Sequence, residues 1–269
     1  MIKRITSSII GLSVLLFGII AGSIWFSALV TIAGALAARE LVSLANKTSE
    51  KKISRTTIII STTVLICSAH ILSSSQTIPN LISYLILALS IASLLWLLTP
   101  NKPTLFIMRL LKQMAIVFYS GGFLFHAIVL RNQEQGLSWL ILLLAITFVT
   151  DTSAFAVGKI FGKRLLAPTI SPGKTIEGAI GGLIGSILAT VLLAPILPLE
   201  ISIGQAVALG LSLGLSAQIG DLSESRFKRL ANVKDSGSIL PGHGGILDRL
   251  DSIVLNVIVV YYFVLWEIV

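Results

Sequence analysis

Nine long apolar runs dominate the chain, at about 5–21, 23–45, 57–74, 78–98, 113–130, 137–158, 177–198, 203–223 and 250–269. At 1.5 Å per residue each is long enough to cross a hydrocarbon core of about 30 Å as a helix. Lipid offers the backbone no hydrogen-bonding partner, so continuous apolar runs of this length are satisfied only as helices. A membrane β-barrel would need short alternating segments, and none occur. The run at 113–130 is the least regular, because it holds Gly121, Gly122 and His126. Composition agrees: only 12% of the 269 residues are charged and 55% are hydrophobic, with mean hydropathy +0.95. So little charge cannot cover a water-facing surface, which excludes an ordinary soluble enzyme, a disordered tail and a fibrous repeat. The expected fold is an all-α, polytopic integral membrane protein with about nine transmembrane helices. We read one transmembrane domain over 1–269. Its helices over 1–135 carry no motif, and those over 136–269 carry the candidate chemistry with their loops.

The net charge of +8 would suggest nucleic acid in a soluble protein. Here its distribution follows the loops. With the N-terminus on the cytoplasmic side, alternation puts Lys3 and Arg4 inside. Arg39, Lys47, Lys51, Lys52 and Arg55 follow there, then Lys102, Arg109 and Lys112. Lys159, Lys163, Arg164 and Lys174 come next, and finally Arg226, Lys228, Arg229, Lys234 and Arg249. Nineteen of the twenty basic residues thus share one side, and only Arg131 falls on the other. This is the positive-inside pattern, so the N-terminus is expected in the cytoplasm and no nucleic-acid partner is expected. Met1–Arg4 also looks like the charged start of a leader, but the second run follows at once without a clear cleavage site, so a retained helix is expected. Cys67 is the single cysteine, which excludes an intrachain disulfide and a Cys-based metal site.

Carboxylates in or beside apolar runs are costly unless paired or wet, and so are informative. Asp151 lies in the sixth run, Asp221 near the end of the eighth, and Asp248 and Asp251 at the start of the ninth. All four fall toward the expected cytoplasmic face. If the eighth helix continues past Asp221, then Ser225 and Lys228 or Arg229 follow on neighbouring turns of the same face. Pro241-Gly242-His243-Gly244-Gly245 is a loop whose glycines permit positive φ and close backbone approach. Asp248 and Asp251, spaced i, i+3, share a face of the following first turn. Hard oxygen ligands beside Lys and Arg are what a Mg2+–triphosphate complex requires. A second cluster runs from Asp151 through Ser171-Pro172-Gly173-Lys174-Thr175-Ile176-Glu177-Gly178. A P-loop is rejected there, since Pro168 stands where the pattern needs glycine and no strand is read before it. Lys174 and Thr175 nonetheless precede a helix start, a place suited to anionic groups. Gly178, Gly181, Gly182 and Gly185 form small-xxx-small spacings, which suit packing within the chain or a homodimer interface. His70 and His126 are expected to be hydrogen-bonded core residues. Glu40, beside Arg39, is expected to pair with it or with a loop cation.

The pattern Ser225-x2-Lys228-Arg229-x4-Lys234-Asp235-x4-Leu240-Pro241-x-His243-Gly244-Gly245-x2-Asp248-Arg249-x-Asp251 closely resembles the signature of the phosphatidate cytidylyltransferase family. The stretch from Asp151 to Gly178 is similar to the same family. The resemblance covers about 150–251. It implies transfer of CMP from CTP to phosphatidate, giving CDP-diacylglycerol and pyrophosphate in phospholipid synthesis, at the cytoplasmic face of a bacterial cytoplasmic membrane. It also implies Mg2+, with a second metal or a monovalent ion as an option. Asp221, Asp248 and Asp251 would hold metal. Ser225 and His243 would supply hydrogen bonds, and Lys228, Arg229, Lys234, Arg249, Lys174 and Thr175 would hold phosphates. Asp151, Glu177 and Asp235 stand as secondary candidates. CTP, phosphatidate and membrane lipids are the expected partners.

Two other classes fit less well. A secondary transporter would carry charge across the midplane and show paired interrupted helices. A CDP-alcohol phosphotransferase would carry an Asp-Gly-x2-Ala-Arg pattern, which is absent. About a third of all charged residues lie between Asp221 and Asp251, a density that a scaffold would not need.

Overall fold

The computed structural model describes residues 2–48, 52–74, 80–97, 106–239 and 244–267. Helices α1 (Ile2–Ala21), α2 (Ser23–Thr48), α3 (Arg55–Ser74) and α4 (Asn80–Leu97) come first. Helices α5 (Phe106–Val117) and α6 (Phe123–Arg131) follow, joined by a π-helical turn over Phe118–Gly122. After α7 (Gly136–Phe161) come strands β1 (Leu165–Ala167) and β2 (Ser171–Thr175), then α8 (Ile176–Leu193), α9 (Ile203–Leu230) and α10 (Leu247–Glu267). Seven of the described helical stretches are long and apolar enough to cross a membrane. The chain is an all-α polytopic membrane protein, with one short hairpin among its described residues.

The chain divides into two compact units. One holds Met1–Asn132 with Arg226–Leu250, and the other holds Gln133–Ser225 with Asp251–Val269.

In the first unit the irregular run proves to be the centre. The stretch Arg109–Arg131 is the most buried of the seven spans. Its glycines mark close approaches: a Cβ on Gly121 would meet Thr62 and Leu65, and one on Gly122 would meet Ser90 and Ile86. Ser120 Oγ donates to Ile116 O at 2.7 Å and lies 3.2 Å from Thr62 Oγ1, so the widened turn keeps its polar groups satisfied inside the bundle. Both histidines are hydrogen-bonded as expected, His126 Nδ1 at 2.7 Å from Gly122 O and His70 Nδ1 at 3.0 Å from Ser27 Oγ. Arg131, the single basic residue expected on the far side, donates from Nε to Ile19 O at 2.9 Å. That carbonyl belongs to the last turn of α1, where orphan acceptors favour a cation. Gly22 follows with φ +72°, and a Cβ there would meet the Arg131 guanidinium. At the same end Asn132 Nδ2 donates to Ser73 Oγ at 2.6 Å, so α1, α3 and α6 finish together.

In the second unit α8 presents two faces. Ile180, Ile184, Leu188 and Leu192 are exposed at four-residue spacing, while Gly178, Gly181 and Gly182 are buried. A Cβ on Gly181 would meet Val157, and one on Gly182 would meet Ala154 and Thr150 O. Small residues therefore let α8 approach α7, and the large apolar ones face outward as lipid requires. The small-residue face serves packing within the chain. A buried polar thread ties α10 to its neighbours: Ser216 Oγ donates to Asn256 Oδ1, and Asn256 Nδ2 donates to Thr147 Oγ1 at 2.8 Å.

Gly122→Ala should lower the stability of detergent-solubilised protein by about 1–3 kcal/mol, the usual cost of overpacking. Ser90→Ala in the same chain should recover much of that loss, because Ser90 Oγ is the nearest obstruction. Thermal unfolding of the single and double variants measures both.

Candidate active site

The second unit encloses a cavity of about 440 Å3 lined from α7, the hairpin, α8 and α9. Asp151, Phe155 and Lys159 descend one face of α7, while Gln218 and Asp221 lie on α9. Lys174 and Thr175 come from the end of β2. Lys174 Nζ forms an ion pair with Asp221 Oδ2, each side chain about 30% exposed. Ser225 Oγ, one turn on, lies 3.4 Å from Asp221 Oδ1. α9 thus continues past Asp221 as the sequence predicted. Gln218 Nε2 donates to Ala179 O at 3.0 Å, and Lys159 Nζ lies 5.9 Å from the Phe155 ring centroid.

The hairpin is what delivers Lys174. Strands β1 and β2 pair antiparallel, Leu165 opposite Thr175 and Ala167 opposite Ser171. A strand thus precedes the Gly173-Lys174-Thr175 motif where the sequence reading placed none. The rejection of a P-loop still stands on geometry, because residues 171–175 are extended strand rather than a phosphate-wrapping turn. Thr175 is the N-cap of α8, its Oγ1 accepting from Gly178 N at 3.1 Å. Glu177 faces back: its Oε2 accepts from Lys163 N at 3.0 Å and Arg164 N at 3.2 Å. It fastens the loop before β1 rather than lining the cavity.

The first unit also holds carboxylates with convergent donors. Asp248, in the first turn of α10, accepts Lys228 Nζ on Oδ1 at 2.7 Å. Its Oδ2 accepts Ser236 N at 3.0 Å, Ser236 Oγ at 2.9 Å and Gly245 N at 2.8 Å. Asp248 is therefore more than a charge near a helix dipole: it organises the preceding loop. Gly244 has φ +80°, the left-handed conformation that the glycine-rich loop promised. Glu40 is 4% exposed and accepts Ser236 Oγ at 2.9 Å, Ile246 N at 3.1 Å and Leu247 N at 2.9 Å. Among the described residues, the donors to Glu40 are the Ser236 hydroxyl and backbone amides at the start of α10, rather than Arg39 or a loop cation. The close approach of Gly237 and Gly245 is to this carboxylate, which their Cβ atoms would strike.

The structure thus gathers Asp151, Lys174, Thr175, Asp221 and Ser225 in one unit, and Lys228 with Asp248 in the other. Arg229 Nη1 reaches Val233 O at 3.4 Å, bracing the turn after α9. Lys234, Asp235 and Arg249 are exposed. Asp251 Oδ1 accepts from Ser252 N at 2.7 Å, and its carbonyl lies where a Cβ on Gly220 would sit. His243 lies outside the described residues. Among the described residues no three His, Cys, Asp or Glu side chains gather as a ready metal cluster. Sequence reasoning gave no site role to Phe155, Lys159 or Gln218, and gave Glu40 a different partner. The first three carry a signal, being one helical turn or two from Asp151 or Asp221 on the same face.

The sequence model of the Cytidylyltransferase family matches residues 2–266. The chain belongs to the cytidylyltransferase family. Among curated relatives it is 39% identical over 139 residues to a phosphatidate cytidylyltransferase of Staphylococcus aureus (strain COL). The corresponding proteins of Staphylococcus epidermidis and Staphylococcus saprophyticus are 37% and 36% identical over the same length. Each match covers 52% of this chain and 52% of the relative, so the chain spans about half the length of the curated relatives it matches.

Thr175→Val should cost about 1 kcal/mol through loss of the α8 cap, while Thr175→Ser should be near neutral. Thermal unfolding in detergent checks the pair, and a loss in Thr175→Ser with none in Thr175→Val would place the effect in the threonine methyl rather than the hydroxyl.

Proposed function

We propose that this chain transfers CMP from CTP to phosphatidate, yielding CDP-diacylglycerol and pyrophosphate. The observation that carries the reading is the family match over residues 2–266, joined to the cavity in which Lys174 meets Asp221 beside Asp151. A phosphate oxygen of the lipid attacks the α-phosphorus of CTP, forming a new P–O bond. The bond from the α-phosphorus to the bridging oxygen breaks, and pyrophosphate leaves with that electron pair. A phosphate monoester is already nucleophilic near neutral pH, so the protein's work is positioning and charge neutralisation. Lys174 is proposed as a phosphate-binding cation of the cavity, with Lys228, Arg229, Lys234 and Arg249 proposed for the remaining anionic groups. Ser225 and His243 are proposed as hydrogen-bond donors.

Mg2+ is the proposed cofactor, with Asp221 and Asp251 of the second unit and Asp248 of the first as candidate carboxylates. The donor chemistry fits: hard oxygens, a cavity open enough for water, and an Asp221 carboxylate already facing a cation. Asp248 has Oδ2 committed to three protein donors, so Oδ1 is the oxygen that can exchange Lys228 for another cation. When bound, the metal would neutralise triphosphate charge and favour pyrophosphate departure. The same reading places the reaction at the cytoplasmic face of a bacterial cytoplasmic membrane.

Radiolabelled CTP with Mg2+ should give lipid-soluble product with phosphatidate and none with diacylglycerol. Product from diacylglycerol alone would replace the reading with a different acceptor class. Asp248→Asn should lower kcat by about 10²-fold or more, as loss of a preorganised charge does. Near-normal turnover with unchanged metal dependence would remove Asp248 from the metal role.

A further inference from the structure

We infer that Glu40, in α2, is a positioning residue for Asp248, acting through Ser236 and the first amides of α10. The inference rests on the proposed function only for its kinetic consequence; its geometry stands alone. Glu40 and Asp248 are held by one shared frame. Ser236 Oγ lies 2.9 Å from both Glu40 Oε2 and Asp248 Oδ2. A hydroxyl has one hydrogen, so it donates to one carboxylate at a time, and each is secured by separate backbone donors. For Glu40 these are Ile246 N and Leu247 N; for Asp248 they are Ser236 N and Gly245 N. Gly245 N, Ile246 N and Leu247 N are consecutive, the first given to Asp248 and the next two to Glu40, so this turn of backbone cannot grip one carboxylate without placing the other.

Three features argue that this frame is built for Asp248 rather than for general cohesion. Ser236 N, Ser236 Oγ and Gly245 N converge on Oδ2, while Oδ1 faces Lys228 Nζ at 2.7 Å. Backbone approach is exceptionally close, since a Cβ at Gly237 or Gly245 would strike the Glu40 carboxylate. Glu40 itself is 4% exposed and satisfied by uncharged donors, a costly burial that a lipid-facing helix end does not require. Among the described residues Glu40 hydrogen-bonds to none of the side chains proposed to hold phosphate, so it works by fixing the direction of Asp248 Oδ1.

The test uses the full-length protein in detergent or nanodiscs, comparing Glu40→Ala, Glu40→Gln and Ser236→Ala. Amide hydrogen exchange without substrates is the first readout. Glu40→Ala should speed exchange at Ile246 and Leu247, which it bonds, and also at Gly245, which bonds Asp248 instead. A rise of about tenfold or more is expected for loss of bonds to a buried charged acceptor. Kinetics is the second readout: kcat should fall about tenfold while KM for CTP and phosphatidate stays within about threefold, and Glu40→Gln should recover part of kcat. Loosening confined to Ile246 and Leu247, with Gly245 still protected, would overturn the inference. So would loosened amides with unchanged kcat. If Glu40→Ala does not fold, Ser236→Ala and Glu40→Gln carry the same comparisons. Wild-type protein without CTP turnover would overturn the proposed function instead, and Gly245 exchange would then decide the inference by itself.

Discussion

A carboxylate in an apolar helix bundle is tolerated only where donors converge on it, and the architecture is arranged around meeting that demand. Glu40 and Asp248 are met by amides, a hydroxyl and an ammonium drawn from a single loop and its flanking helices. Asp221 is met by Lys174, which only the hairpin between α7 and α8 can deliver. Packing of small residues makes these meetings possible. Where Gly237 and Gly245 let the loop backbone close on Glu40, and where Gly181 and Gly182 let α8 close on α7, any side chain would force the donors away.

The two units solve the problem differently. In the first, a carboxylate is almost wholly enclosed and its oxygens are assigned to fixed protein donors. In the second, carboxylates line an open cavity and meet a flexible lysine. Rigid enclosure suits a group that must point in one direction. Partial exposure suits groups that must exchange partners as anionic ligands come and go. The chain thus obtains both kinds of carboxylate environment with helices, apart from one short hairpin among the described residues.

Much of this was legible in the sequence, for reasons particular to the residues. Apolar runs locate the helices because lipid tolerates little else, and the glycine spacing of α8 anticipates its contact with α7. The Asp221–Ser225 relation follows from helical period alone. The hairpin was not legible: its strands are short, one contains proline and glycine, and neither alternates. Hydropathy is blind to the π-turn at 118–122, since widening a helix changes its hydrogen bonding and not its composition. Nothing local marks Glu40. Its partners lie 196 to 207 residues away, and a single glutamate at the end of an apolar run reads as a surface charge.

That separation has a consequence for biosynthesis. The first unit is discontinuous, completed only when residues 226–250 return to it. At about 5–20 residues per second, Glu40 is made on the order of 10–40 s before the serine and amides that satisfy it. During that interval α2 carries an uncompensated carboxylate near its end, which must remain in the interfacial water or borrow a temporary partner. Assembly therefore has a late committed step. The nascent bundle stays ajar at this end until the last long helix begins to emerge, and closing it sets the loop and buries the charge together.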